Sequence, residues 1–159
     1  MRLAIFSDVH GNPFALEAVL QAIRQAGDFD ALVAAGDLCL GGSSPGNCVE
    51  MLRLAGAKAV YGNTDEYLHY PERVPNDELH QNMWQTIEPV ARWSRERLSS
   101  EQREWLFGLP FELRFPVDDD PAHDLLVVHA NPKDVELMIL PPEPEQIKLW
   151  GEVRQPDDS

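Results

Sequence analysis

Short apolar runs alternate with amphipathic stretches along the first third of the chain. The runs Leu3 to Phe6, Ala31 to Ala35 and Lys58 to Tyr61 are short and mainly apolar, which is typical of buried strands. Between these runs, apolar residues recur at the spacing of a helix. This order of strand, helix, strand, helix and strand predicts a mainly parallel sheet with helices packed on it.

Helix start signals precede both connecting stretches. Asn12 followed by Pro13 predicts an N-cap and a first helical residue, and Gly27 predicts the end of that helix. Ser44 and Pro45 repeat the same start before the second helix. The apolar residues that recur at helical spacing in the first helix are Phe14, Ala18, Val19, Ala22, Ile23 and Ala26.

The middle of the chain is predicted to be helical. One helix is expected from about Asp77 to Leu98, bent or restarted at Pro89. Ser99 and Gln102 resemble a capping box, which predicts a further short helix. The Trp and Leu side chains of the longer helix are expected to lie in the core rather than to stack on a ligand. They include Trp84, Trp93 and Leu98.

Two later apolar runs indicate a second layer of strands. Phe111 to Phe115 and Leu125 to His129 read as strands separated by an acidic turn, which suggests partly antiparallel pairing. The chain then becomes rich in proline, with one short helix expected near Glu145 to Trp150. No repeat or clear linker interrupts the sequence, so residues 1–159 are read as one domain.

The charge of the chain limits its partners. With 13 Lys and Arg against 27 Asp and Glu, the net charge is −14, which disfavours general nucleic-acid binding. A small anionic substrate is compatible with this charge if a bound cation reverses the local field. No apolar run is long enough for a membrane span, and the N-terminus does not resemble a signal peptide, so a cytoplasmic location is expected. Cys39 and Cys48 are expected to be reduced and packed.

Polar clusters follow four of the predicted strands. Asp8 and His10 come after the first strand, Asp37 after the second, Asn63 after the third and His129 after a later one. In open α/β sheets ligands bind at the carboxyl ends of the strands. These five side chains are therefore expected to converge on one site.

The residue types in these clusters suit transition-metal ions. Carboxylate oxygen and imidazole nitrogen bind Mn, Fe, Zn and similar ions. Asp8 and His10 are two residues apart, so in extended backbone they point the same way and can bind one ion. Asp37 can bridge two ions about 3.5–4 Å apart. Asn63 and His129 offer an oxygen and a nitrogen to the second ion.

In these blocks the sequence resembles the calcineurin-like metallophosphoesterases, particularly their small bacterial and archaeal phosphodiesterases. The family pattern is Asp-x-His, Gly-Asp, Gly-Asn-His or a variant, a lone His, and Gly-His-x-His. The resemblance implies a two-layered β sandwich flanked by helices and two divalent ions drawn from Mn, Fe, Zn, Co or Ni. It also implies that Asp8, His10 and Asp37 hold one ion, and that Asp37, Asn63 and His129 hold the other.

Two features depart from the family pattern. Thr64 stands where many relatives carry a His that assists the leaving group, and Thr cannot supply a proton of suitable pKa. The Gly-His-x-His block is absent from the sequence up to Ser159. The domain is therefore expected to be C-terminally incomplete.

The expected function is hydrolysis of phosphomonoesters or phosphodiesters of small substrates by a hydroxide that bridges two metal ions, with Asp37 and Asn63 as catalytic residues. The alternative is a catalytically impaired family member that acts as a metal- or partner-binding module. A haloacid-dehalogenase-type site is disfavoured, because His10 occupies the place of the second Asp in its Asp-x-Asp motif.

Overall fold

The computed structural model describes residues 1–137, so the helix expected near residues 145–150 lies outside the described part. The strands are β1 (Leu3–Phe6), β2 (Ala31–Ala35), β3 (Lys58–Val60), β4 (Glu112–Phe115) and β5 (Leu125–Val128). The α-helices are α1 (Pro13–Ala26), α2 (Pro45–Leu54), α3 (Asn63–His69), α4 (Glu78–Glu96) and α5 (Ser100–Phe107). All five predicted strands are confirmed, to within one residue at their ends.

The strands form two sheets. Strands β1, β2 and β3 lie side by side in that order and are parallel, with Leu3 paired to Ala31 and Val33 paired to Lys58. Strands β4 and β5 form an antiparallel pair. The predicted mixed α/β architecture is confirmed.

Alternate residues of the parallel sheet face different layers. Val33, Ala35 and Val60 pack against Phe115 and Val127 of the antiparallel pair, forming one apolar cluster. Their neighbours belong instead to a larger cluster that includes residues of the helices, among them Ala34, Ala59, Leu16, Leu52 and Leu106. The parallel sheet is thus covered by helices on one face and by the second sheet on the other, which matches the expected two-layered sandwich with flanking helices.

Helix α1 begins and ends as predicted. The Asn12 side chain accepts a hydrogen bond from the Ala15 backbone, and Gly27 follows the last helical residue. Its fully buried side chains are Leu16 and Leu20, whereas Phe14 is 78% exposed. Helix α1 carries apolar residues on more than one side, and their spacing alone does not select the buried face. Of the apolar residues at helical spacing, Phe14, Ala18, Val19, Ala22 and Ala26 are exposed.

The central helices follow the predicted pattern with three differences. Helix α4 continues through Pro89, and the capping box of Ser99 and Gln102 starts α5 as expected. Helix α3 was not predicted. Leu98 is buried and Trp84 packs on the core, but Trp93 does not belong to the core cluster.

Cys39 and Cys48 are free thiols in the core, as expected. Within residues 1–137, none of the helices has the length and apolar character needed to cross a bilayer.

Candidate metal centre

Three of the five predicted ligands lie on strained loops after β1 and β2. Asp8, His10 and Asp37 have left-handed backbone, with φ of 59°, 47° and 57°. Among the described residues, no other residue except glycine has a positive φ. Such conformations cost about 1–3 kcal/mol each and cluster at active sites and ligand clamps. This concentration of strain therefore points to a functional site at the ends of β1 and β2.

The sequence-based reason for the convergence of Asp8 and His10 was wrong, because their backbone is left-handed rather than extended. The two loops instead hydrogen-bond side by side. The His10 N–H donates to the Asp37 carbonyl at 2.8 Å, and the Asp8 N–H donates to the Gly36 carbonyl at 3.1 Å. The ligand atoms of Asp8, His10 and Asp37 consequently lie within 4.8 Å of one another.

Asp37 occupies the middle of the group and presents a different oxygen to each histidine. Its Oδ2 lies 3.5 Å from Nε2 of His10, and its Oδ1 lies 3.5 Å from Nε2 of His129. Nε2 of His10 is also 3.6 Å from Oδ1 of Asp8. The Asp37 side chain is only 7% exposed, so solvent does little to screen it. This arrangement is the one expected of a bridging carboxylate.

Backbone carbonyls fix the orientation of both imidazole rings. Nδ1 of His10 lies 2.9 Å from the Leu40 carbonyl, and Nδ1 of His129 lies 2.8 Å from the Ala35 carbonyl. A carbonyl only accepts, so each Nδ1 donates, and in the neutral ring Nε2 keeps its lone pair. Metal-binding histidines characteristically use this outer hydrogen bond to set tautomer and direction.

The donor set fits divalent cations. When the ring is neutral, Nε2 is an acceptor and faces a carboxylate oxygen, which is also an acceptor. A cation removes that mismatch. Protein N and O ligands bind zinc at about 2.0–2.2 Å, so one ion can reach two donors that are 3.5–3.6 Å apart.

Two residues next to Asn63 shape the centre from the start of α3. The Thr64 N–H donates to Asp37 Oδ1 at 3.1 Å. The Asp65 carboxylate is buried and accepts from the Leu38 and Gly62 N–H groups at 3.0 and 3.1 Å, tying the β2 loop to the β3 loop. Burial, and then the Asp37 carboxylate, raise the pKa of Asp65 to about 7 against these hydrogen bonds.

Asn63 is the first residue of α3 and lies at the rim of the group. It stands between Thr64, which donates to Asp37, and Gly62, where an added Cβ would lie 2.1 Å from Asp37 Oδ1. Burial, and then the Asp37 carboxylate, raise the pKa of Glu136 overall. A hydrogen bond that the Asn63 side chain donates to Glu136 acts in the opposite direction. Asn63 is thus near Asp37, on the side that faces Glu136.

Gly36 allows the β2 loop to approach His129. Its φ is 92°, and a Cβ at this position would lie 2.5 Å from Nδ1 of His129 and 2.8 Å from the Gly62 nitrogen. Any larger residue would push His129 off the Ala35 carbonyl, so the glycine sets the distance between β2 and β5.

The turn after His129 is built around a fully buried Asn131. Its side-chain oxygen accepts from the Lys133 and Asp134 N–H groups at 2.7 and 3.1 Å, and its amide donates to the Leu137 carbonyl at 2.9 Å. These bonds hold the chain in a compact loop that brings Glu136 to Asn63.

Sequence reasoning missed the supporting roles of Asp65, Asn131 and Glu136. A usable signal existed for Asp65, because a carboxylate three residues after a strand-ending glycine is a helix-start pattern. A similar signal existed for Asn131, since Asn before Pro marks a turn. None existed for Glu136, whose position depends on the fold of the whole loop.

Comparison with known proteins places the chain in a family. Residues 1–158 match the family model described as calcineurin-like phosphoesterase. An uncharacterised protein of Methanocaldococcus jannaschii is 28% identical over 135 residues, which cover 85% of this chain and 51% of that protein. The chain therefore spans about half the length of this curated relative.

Solved structures agree with this match. A metallophosphoesterase from Sphaerobacter thermophilus is 33% identical with a TM-score of 0.61, covering 88% of this chain and 51% of that one. A structure provisionally assigned as a diadenosine tetraphosphatase is 29% identical with a TM-score of 0.58, covering 83% and 52%. A hypothetical protein of Pyrococcus horikoshii, 19% identical with a TM-score of 0.73 and covering 96% and 63%, shares the fold. The chain belongs to the calcineurin-like phosphoesterase family.

Proposed function

We propose that this chain carries a metal-dependent site that hydrolyses phosphomonoesters or phosphodiesters of small molecules. Family membership supports a metal-dependent phosphoesterase in general. The observation that carries the proposal further is the position of Asp37, whose two carboxylate oxygens each face the Nε2 of a different histidine. A carboxylate placed in this way can serve two ions at once.

Two sets of ligands follow from this proposal. Asp8, His10 and Asp37 hold one cation, and Asp37, Asn63 and His129 hold the other. Their oxygen and nitrogen atoms accept Mn, Fe, Zn, Co or Ni, so the ligands alone do not select the metal. When bound, such ions activate a water molecule as nucleophile and neutralise charge on the phosphoryl oxygens.

The residues of the chain have distinct tasks in this reaction. Asp37 is held by the Thr64 N–H, which leaves the direction of its carboxylate fixed before substrate arrives. Asn63 would polarise a phosphoryl oxygen in this reaction. Thr64 cannot transfer a proton to the leaving group near neutral pH, so substrates whose leaving groups need no protonation are favoured.

The relatives suggest where to look for substrates. One similar structure is provisionally assigned as a diadenosine tetraphosphatase, and this name indicates a nucleotide substrate. The leaving groups of such a substrate are phosphates, which are good leaving groups. Such a substrate suits a site whose Thr64 provides no acid. Dinucleoside polyphosphates are therefore natural candidates for this chain.

The test is turnover by the intact gene product after chelation and readdition of Mn²⁺, with p-nitrophenyl phosphate and bis-p-nitrophenyl phosphate as substrates. Asp37→Asn is expected to abolish metal-stimulated turnover, whereas Asp119→Asn, an exposed acid between β4 and β5, leaves it unchanged. A protein that binds the ions tightly but hydrolyses neither ester would favour the alternative of a metal-binding module. Absence of both metal binding and turnover would refute the proposal.

A further inference from the structure

A cavity opens next to the predicted ligands on the α3 side; we refer to it as the side cavity. Its walls are Tyr61, Glu66, Arg73, Phe111 and the loop at residues 133–136. Its volume is about 390 Å³, within the range of about 300–1,000 Å³ typical of small-molecule sites. A smaller cavity of about 200 Å³ shares Tyr61, Glu66 and Arg73 with it.

The side cavity adjoins the metal centre at two points. Tyr61 directly precedes Gly62, which lies so close to Asp37 that an added Cβ would be 2.1 Å from the Asp37 Oδ1. Glu136 lies in the cavity wall and is the residue to which the Asn63 amide donates. A phosphoryl group held at Asp37 and Asn63 would therefore direct one of its ester substituents into this cavity.

Two aromatic rings form part of the wall. The Tyr61 and Phe111 rings lie 6.1 Å apart at 58° to each other, so they form a corner rather than a closed stack. The Tyr61 N–H donates to the Pro110 carbonyl at 3.2 Å, which fixes Phe111 relative to Tyr61. Such a corner offers apolar ring surface to a flat ligand.

The polar groups of the side cavity favour a neutral ligand with N–H donors. Glu66 is paired with Arg73 at 2.5 Å and is only 17% exposed. Oε1 of Glu136 is buried, and no hydrogen-bond partner for it exists among the described residues. A buried acceptor without a donor is costly, by about 1–3 kcal/mol, and a ligand that donates to it removes that cost.

We propose that the side cavity binds the nucleobase of a nucleoside phosphate, with the base against Tyr61 and Phe111 and an amino or ring N–H group donating to Glu136. This inference rests on the proposed function for the position of the phosphate. It assigns the substrates of the site to the nucleotides, and it assigns base recognition to residues outside the metal centre.

Calorimetric titration of the intact protein with adenosine, and with ribose as its base-free counterpart, tests the side cavity without metal or turnover. Adenosine is expected to bind at least tenfold more tightly than ribose. Phe111→Leu should weaken adenosine binding roughly five- to a hundredfold, the range for loss of one base–aromatic stack. Phe29→Leu is the matched control, since Phe29 precedes β2 at the opposite end of the sheet under the Arg2 guanidinium.

A second variant tests the side cavity independently, in case Phe111→Leu does not fold. Glu136→Ala, at a side chain that is 31% exposed, should also weaken adenosine binding and leave ribose unchanged. Equal binding of adenosine and ribose, or adenosine binding that neither variant alters, would overturn the proposal.

The outcomes also separate the two proposals. If p-nitrophenyl phosphate is hydrolysed with Mn²⁺ but adenosine does not bind, the side cavity is not a base site and the proposed function stands. If adenosine binds through Phe111 and Glu136 but no ester is hydrolysed with any metal, the base site stands and the proposed function fails.

Discussion

The two halves of the proposed metal centre are built in different ways. Asp8 and His10 have left-handed backbone in the loop after β1, and the neighbouring Asp37 also has left-handed backbone. Asn63 and His129 instead occupy the first residue of helix α3 and the residue directly after strand β5. One half thus depends on strained backbone and the other on the ends of regular elements.

This difference shows where each half obtains its precision. The strained half is held by hydrogen bonds between the β1 and β2 loops, such as His10 N–H to the Asp37 carbonyl. The regular half is held by buried side chains, with Asp65 on the α3 side and Asn131 after β5. Asp37 joins both halves, so its removal should affect them together, whereas changes elsewhere should affect one.

The largest expected effect is on the number of bound ions. Asp37→Ala should lose both ions and His129→Ala only one, since Asp37 faces both histidines and His129 serves one half. Each substitution should lower the affinity for the lost ion by more than the about 10–100-fold that follows removal of a residue hydrogen-bonded to a metal ligand. Equilibrium dialysis against Mn²⁺ with elemental analysis measures this directly, with Asp119→Ala as the control. Retention of two ions by Asp37→Ala would mean that the halves are not joined through this carboxylate.

A substitution at Gly36 should disturb the contact between the halves. Gly36 and Gly41 have similar φ values, 92° and 105°, but an added Cβ meets His129 and Gly62 only at Gly36 and meets nothing within 4 Å at Gly41. Gly41→Ala is expected to cost about 1–2 kcal/mol for the backbone alone. Gly36→Ala should cost about 1–3 kcal/mol more through overpacking.

Denaturant unfolding of the two glycine variants supplies the comparison. Metal binding by Gly41→Ala should remain at two ions, while Gly36→Ala should lose the ion held by His129. Equal destabilisation by the two substitutions would show that the close approach of β2 to His129 carries no cost.

The order of elements and the four strand-end clusters could be read from the sequence, because strand length, proline, glycine and capping residues are local signals. Asp37 and His129 meet across the two sheets, yet each could be identified from its place after an apolar run. Helix α3, Asn63–His69, escaped prediction because it is short and begins inside the site motif.

Two features could not be obtained from local signals. Helix α1 carries apolar residues on several sides, and only the packing of Leu16 and Leu20 on the core decides which face is buried. The left-handed turns at Asp8 and His10 depend on hydrogen bonds to a loop almost thirty residues away. Neither choice is encoded in the spacing of neighbouring residues, so both needed the three-dimensional structure.

The smallest expected effect concerns how often the strained half opens. Cys39 lies two residues after Asp37 in the core, and Cys48 lies in helix α2. Burial raises the pKa of Cys48 to about 11, and burial, followed by the Asp65 carboxylate, raises that of Cys39 well above its usual range. The thiolate is the reactive form, so both buried thiols should react slowly with iodoacetamide while the native structure stays closed.

Labelling at Cys39 should therefore report opening of the loop that carries Asp37. Because the proposed ions bind the closed loop, Mn²⁺ at ten times its dissociation constant should slow Cys39 labelling by about tenfold. Cys48, on α2, should be slowed less if the strained half opens locally. Mass spectrometry of the two peptides, with urea-unfolded protein as the reference for full reactivity, measures both rates. Equal slowing of the two thiols would show that the strained half opens only when the whole domain unfolds.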